Sequence, residues 1–277
     1  MKAQRPVKKN QEEIEFYKKH APLFGAGLYQ LYQQLTSGKI SNSSHLEAAF
    51  KALWTAEESW EPWTLEFPFS DQTNMHEEQF GHAICIASDD IIAHGRPNDN
   101  LFKPGQVISV DCGLARRYSK NRYLHFDAGF TFVHEDIQTW AYTPQIALQR
   151  VVESQPKTVN ETCEIIRQTA KDYNLDVVVS LAGHGIGYNL HEAPLIHNAV
   201  GKYPDISLFE GLVFCVEPIF VLPGKDRGGS HIAKTCIDSN GWSVRTIDGR
   251  PGSHFESMFC ISEGKLVDLT KVSEWEL

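Results

Sequence analysis

No run of apolar residues in this chain of 277 approaches the length of about 18 that a membrane-spanning helix needs. The N-terminal stretch MKAQRPVKKNQEEIEF is basic but is followed by no apolar segment, so it lacks the pattern of a secretory signal. None of the 6 cysteines, Cys85, Cys112, Cys163, Cys215, Cys236 and Cys260, belongs to a CxxC pair. Most of them sit inside apolar runs, so the sulfurs read as buried, reduced thiols of a cytoplasmic protein. Nor is there an excess of positive charge. The net charge is −9, with acids and bases mixed along the chain, which gives no general attraction to nucleic acid or to an anionic membrane. Low-complexity segments and flexible linkers are absent too. What remains is a chain with 42% apolar residues, enough to bury a sizeable core, and one catalytic domain over residues 1–277 is expected.

The opening part, about residues 10–60, reads as helical. Leu28, Leu31, Tyr32 and Leu35 recur on one face and stop at Gly38. Ser44 and Glu47 have the spacing of a capping box before Leu46, Ala49, Phe50, Leu53 and Trp54. Residues 55–80 show no period and read as a loop. From residue 82 the pattern becomes strand-like: HAICIAS, DIIAHG, QVISVDCGLA and HFDAGFTFV. A helical stretch over about 137–173 breaks near Pro156 and restarts at Thr158 and Glu161, a second capping-box spacing. Strands return in DVVVSLAG, GLVFCVEPIFVL, WSVRTID and HFESMFCIS. This order predicts an α+β fold of two halves, about 82–136 and 175–265, not a doubly wound parallel sheet.

The two halves repeat one another. AHG at 93–95 matches GHG at 183–185, LFKPGQVISVD matches LFEGLVFCVE, and HFD at 125–127 matches HFE at 254–256. Gly105 precedes Asp111 by 6 residues, and Gly211 precedes Glu217 by the same distance (111 − 105 and 217 − 211). The repeat therefore pairs His94 with His184, Asp111 with Glu217 and Asp127 with Glu256. A pseudo-twofold axis would bring these positions together. Each acid stands at the end of, or inside, an apolar run, where a carboxylate is costly unless paired or bound to metal. Few Lys or Arg lie in the neighbouring strands. Divalent cations would cancel the repulsion among four acids, and carboxylates with one imidazole suit Mn, Fe, Co or Zn. His125 and His254, beside two of the acids, are candidates for orienting a carboxylate.

The motifs VISVDCG, HFDAGFTF, GHGIGYNLHEAP, FCVEPIF and SHFESMF resemble, in order, the five metal-ligand motifs of the methionine aminopeptidases, over about residues 10–270. Only 33 positions separate His184 from Glu217 (217 − 184), so the resemblance is to the first type of that family, which lacks a helical insertion there. It implies a pita-bread fold, two pseudo-symmetric α+β halves around a central, mostly antiparallel sheet. It makes Asp111, Asp127, His184, Glu217 and Glu256 the ligands of two divalent metal ions (Co, Mn, Fe or Zn), with Asp127 and Glu256 bridging. His94 and His191 would contact the substrate, and Glu217 would move the proton. Trp242 would wall the pocket for the first side chain. Phe80, in NMHEEQFGHAIC, replaces a tyrosine of that pocket, with Glu77 and Glu78 close by in sequence, and Leu190 replaces a phenylalanine. The implied activity is metal-dependent removal of the N-terminal residue, methionine, from peptides and nascent chains, with the ribosome as a further partner. Two alternatives stay open: a peptidase of the same fold with another first-residue preference, and a non-catalytic metal-binding relative that serves as an interaction module.

Overall fold

Asn10 starts the first helix. In a computed structural model of the chain, which describes residues 5–55, 60–62, 80–136, 138–201, 204–225 and 230–277, the Asn10 side chain accepts the Glu13 N–H at 2.9 Å. The Glu13 carboxylate in turn accepts the Asn10 N–H at 2.8 Å. This reciprocal cap satisfies donors that the first turn leaves without partners and opens α1 (Gln11–Thr36). Gly38, at φ +73°, turns the chain away, as its position after the periodic leucines predicts. α2 (Ser43–Thr55) follows. Its cap is Asn42, whose side chain accepts the His45 N–H at 2.8 Å, so the box expected from Ser44 and Glu47 does not form. Glu47 instead accepts the Ala83 N–H at 2.7 Å and pairs with Lys51, tying α2 to the chain that enters the sheet.

The stretch 55–80, read as a loop, contains a three-residue strand, β1 (Trp60–Pro62); Glu77 and Glu78 lie outside the described residues. β2 (Cys85–Ser88) and β3 (Ile91–Ala93) lead into a long hairpin of β4 (Val107–Ser119) and β5 (Arg122–Val133). The helical stretch divides at Pro156 into α3 (Thr143–Ser154) and α4 (Val159–Asp172), and the Thr158 hydroxyl caps α4 by accepting the Glu161 N–H at 3.2 Å. The second half holds β6 (Asp176–Val178), β7 (Ala182–Gly185), β8 (Glu192–His197), β9 (Val213–Val216) and β10 (Ile219–Val221). It continues with β11 (Ile232–Ala233), β12 (Thr235–Ile237), β13 (Val244–Thr246), β14 (Gly252–His254), β15 (Ser257–Ser262) and β16 (Lys265–Asp268).

β4 pairs with β5, β2 and β1, while β16, β15, β9, β7 and β8 form a second sheet in that order. A bridge between Gly129 of β5 and Glu256 joins the two. Two smaller sheets, β11-β6-β10-β14 and β12-β13-β3, flank them. Among the described strands every pairing is antiparallel except β6 with β11. The repeat is visible in this order: β2–β4–β5 in one half corresponds to β7–β9–β15 in the other. Its matched turn glycines, Gly105 and Gly211, take the same left-handed conformation, φ +77° and +86°.

Alternation along β5 sets the two sides of the first sheet. Phe126, Ala128, Phe130 and Phe132 are buried in the main core. Tyr17 and Phe24 of α1 stack on Phe126 at 5.1 and 6.4 Å. Asp127 and Gly129 face the opposite way, as a two-residue period requires. Of the cysteines Cys236 is exposed, against the expectation of burial, because β12 lies on the surface. No helix among the described residues is long and apolar enough to cross a membrane.

Candidate metal centre

Strand register gathers the acids. Asp111 of β4 lies opposite Gly129 of β5, and Gly113 opposite Asp127. Gly129 also bridges to Glu256, through a Glu256 N–H···O bond of 2.9 Å and a reciprocal one of 3.2 Å. Val216 pairs with Ser257, so Glu217, one step beyond, comes opposite Glu256. His184, on β7, enters from the side: its Nε2 lies 3.8 Å from Asp127 and 3.8 Å from Glu217. Gly183 permits this approach, since a Cβ there would lie 2.3 Å from the Cys215 carbonyl oxygen. The structure thus brings Asp111, Asp127, His184, Glu217 and Glu256 to one cavity of about 40 Å³, whose lining also includes His94, His191 and Phe80.

The electrostatics are those of an acid cluster without a cation. Burial pushes the Asp111 carboxyl up to about 6, although hydrogen bonds to Glu256 and Asp127 act against the rise. Asp127, Glu217 and Glu256 are raised well above the ordinary carboxylate range, first by burial and then by the charge of neighbouring acids, Asp111 among them in each case. Asp127 and Glu256 are buried, while Asp111 and Glu217 keep part of their surface in the cleft, as symmetric pairs should. The Glu256 Oε1 is buried with no hydrogen-bond partner. The His184 Nδ1 stands 3.0 Å from the Gly185 carbonyl, so its proton is fixed there and the Nε2 lone pair points at the acids. Oxygen atoms of Asp127 and Glu256, a nitrogen of His184 and the Cys215 sulfur all fall within 4.8 Å of one another. Clustered carboxylates, an imidazole lone pair and an orphaned buried oxygen fit divalent cations.

Three further histidines surround the cluster in neutral form. His94 is pushed down to about 4 by burial. His191 is pushed down to about 2, by burial and then by the His184 imidazole, whose ring centroid is 4.4 Å away. His191 nevertheless keeps solvent access at the mouth of the cleft. His254, buried, is pushed down to about 3, with its Nε2 4.0 Å from Glu217. His125 turns elsewhere, its Nδ1 3.0 Å from the Gly187 carbonyl oxygen.

The remaining sequence candidates divide. Phe80 lines the cavity and meets Trp242 edge-on at 5.6 Å, with the Arg96 guanidinium over both rings. Trp242 stands behind Phe80, outside the cavity lining. Leu190 is buried in the main core and does not line the cavity. His82 was not singled out in the sequence. It lines the cavity, packs on Phe80 at 5.6 Å and is 3.1 Å from Glu47. No apolar run or spacing marks it.

Such a cluster of carboxylates and one imidazole, opening on a cleft, is a set of groups that suits a metal-dependent hydrolase. The chain belongs to metallopeptidase family M24, whose model matches residues 16–263. It is 30% identical over 271 residues to a methionine aminopeptidase of Mycoplasma capricolum, spanning 95% of this chain and 97% of that relative. It is 28% identical over 199 residues to methionine aminopeptidase 1 of Bacillus subtilis, spanning 70% and 75%. The fold matches that of Thermotoga maritima methionine aminopeptidase, with a TM-score of 0.77 at 19% identity over 96% of this chain and 99% of the other. The prolidase of Pyrococcus furiosus shares the fold at a TM-score of 0.61 and 20% identity, over 96% of this chain and 66% of that one. The α+β pita-bread architecture stands.

Proposed function

We propose that this chain removes the N-terminal methionine from peptides and nascent proteins, as a metal-dependent aminopeptidase. The observation that carries this reading is the convergence of Asp111, Asp127, His184, Glu217 and Glu256 on one cavity without a cation among its lining residues, in a chain of metallopeptidase family M24. These five residues would hold two divalent ions, Co, Mn, Fe or Zn. Divalent ions in such a set supply a nucleophilic hydroxide near neutral pH and polarise a carbonyl.

The chain's own groups do the rest. Glu217, 14% exposed, keeps part of its surface in the cleft. It is placed to take the proton of the attacking water and deliver it to the leaving amine. His191, neutral and at the mouth, has one N–H to donate to the scissile carbonyl. His94, also neutral, is placed to bond the amide nitrogen on the leaving side. His254, with its Nε2 4.0 Å from Glu217, stands beside that carboxylate. Phe80, backed by Trp242 and with Leu190 behind the wall, shapes the pocket for the first side chain. The halves 82–136 and 175–265, with the N-terminal helices over 10–60, work as a single catalytic domain. Nascent chains as substrates put the protein in the cytoplasm, with the ribosome close by, and involve neither nucleic acid binding nor a membrane.

The test is a substrate panel with Met, Leu or Ala ahead of Ala-Ser, assayed with Mn, Co, Fe and Zn. Release of methionine from Met-Ala-Ser, at least about tenfold faster than release of leucine or alanine, is expected, since pocket fit discriminates side chains by that order. Release of no amino acid with any metal overturns the proposal. A faster release of another residue overturns the assignment to methionine.

A further inference from the structure

The ladder of β4 and β5 does not end at the acid cluster. Gly113 and Asp127, paired across the hairpin, line the metal cavity. The next rung on the same face is Ala115 with His125, and the one after is Arg117 with Tyr123. Ala115, Asn121, Arg122, Tyr123, His125 and Tyr188 line a second cavity, an open groove of about 650 Å³. Rungs two residues apart are about 7 Å apart, so the groove lies one to two steps, about 7 to 14 Å, from Asp127 along the strand. Its far wall is Tyr188, only three residues before His191 at the mouth of the cleft (191 − 188). Among the described residues, Phe80 and Cys85 of the cavity lining are buried, while His191 of the same lining is exposed, on the chain segment that also supplies Tyr188 to the groove.

Arg122 lines the groove, and the hairpin that borders it is basic in a chain of net charge −9. The segment RRYSKNR, 116–122, carries Arg116, Arg117, Lys120 and Arg122 and no acid. The Arg122 guanidinium lies over the Tyr188 ring at 5.8 Å, and Arg117 donates to the Tyr123 hydroxyl at 2.7 Å. Among the described residues, Glu12 and Glu13 of α1 and Glu192 of β8 are acids near this side, and each has a partner. Glu13 accepts the Tyr188 hydroxyl at 2.5 Å, Glu12 the Tyr118 hydroxyl at 3.5 Å, and Glu192 pairs with buried Lys9 at 2.7 Å.

We infer that this groove binds the third to fifth residues of an extended peptide substrate and selects acidic side chains there, through Arg122 with Arg117 beside it. This rests on the aminopeptidase reading above, which places the first peptide bond at the acid cluster. An extended peptide advances about 3.4 Å per residue, so the groove's span of one to two rungs corresponds to those positions. The preference runs against the protein's overall negative field, so long-range attraction does not produce it.

The experiment compares first-residue release from Met-Ala-Glu-Glu-Glu-Ser and Met-Ala-Lys-Lys-Lys-Ser by the metal-loaded full chain, wild type and Arg122→Glu. Met-Ala-Ser, too short to fill the groove, is run on the wild type. The wild type is expected to favour the acidic peptide by about fivefold in kcat/KM, the scale of partly exposed ion pairs. Arg122→Glu is expected to reverse the order. Equal rates on both hexapeptides in the wild type, or an acidic preference that survives Arg122→Glu, overturns the groove assignment. In those cases hydrolysis of Met-Ala-Ser keeps the aminopeptidase reading standing. No release from any of the three peptides overturns both.

Discussion

Glu217 has two kinds of neighbour: His184 at 3.8 Å on one side and His254 at 4.0 Å on the other, with Asp111 and Asp127 close enough to raise its pKa. In the proposed site this one carboxylate is a candidate ligand and also the neighbour of two imidazoles. Replacing it separates catalysis from folding. Glu217→Ala is expected to lower kcat/KM at least about a hundredfold, the scale of a lost general acid–base. In chelator it is expected to melt no lower than the wild type, because one repelling charge has left the cluster. Full activity, or a collapse of the fold, would defeat this role. At this scale the sequence was legible wherever a charge interrupted an apolar run. Asp111 after Val107-Ile108-Ser109-Val110, and Glu217 after Leu212-Val213-Phe214-Cys215-Val216, stand out because a buried carboxylate needs a reason. His82 and Leu190 did not yield to that logic. The first is placed by contacts with Phe80 and Glu47 across the fold. The second, a leucine, fits a core as well as a pocket wall, and the core holds it.

Helix α1 is fastened at its start to the loop that carries His191. Lys9, 1% exposed, places its Nζ 2.7 Å from Glu192, the residue after His191. The other Glu192 oxygen accepts the Asn189 N–H at 3.1 Å, so one ion pair holds the turn 187–192 against α1. Burial pulls the Lys9 pKa down and Glu192 opposes the fall. Lys9→Met keeps the bulk and leaves Glu192 buried without its cation, which costs about 3 kcal/mol or more. Thermal denaturation should show that loss, and Lys9→Met with Glu192→Gln together should recover part of it. A single variant as stable as the wild type would show that the pair contributes nothing. Element types were readable where a period ran long, as in α1, α4, β4 and β5. Short strands were not: β8, β11, β12 and β16 have 6, 2, 3 and 4 residues and owe their conformation to partners distant in sequence. The same holds for the start of α2, where Ser44 and Glu47 had the right spacing but Asn42 supplied the cap.

The molecule as a whole is two related halves that meet at like charges. The five clustered residues come from β4, β5 and β7, from the end of β9 and from the step between β14 and β15, so no local segment can relieve the repulsion among the acids. A bound cation would therefore act as a cross-link between the halves, and its loss should be felt as global stability. The sign follows from the acids. Asp111 has an ordinary pKa of 3.8 and one of about 6 in the fold, so between these values the folded chain holds the proton more tightly than the unfolded one. Stability contributed by this group falls as pH rises through that window and stays low above it. The raised Glu256 acts in the same direction. The buried histidines act oppositely, since their folded pKa values are lowered and their charging penalty fades as pH rises, so the comparison needs a partner protein in which they are unchanged. Glu256→Gln is that partner. In chelator it should melt higher than the wild type at pH 8 by more than about 3 °C, as 1 kcal/mol moves a chain of this size by that order, and the gap should shrink toward pH 4. Adding Mn, Co, Fe or Zn at about a hundred times its dissociation constant should raise the wild type by about 2.7 kcal/mol and reverse the order of the two proteins. A gap that does not change with pH would separate Glu256 from the acid cluster. A wild type that gains nothing from any of the four metals would mean that the convergence of the two halves serves something other than holding cations.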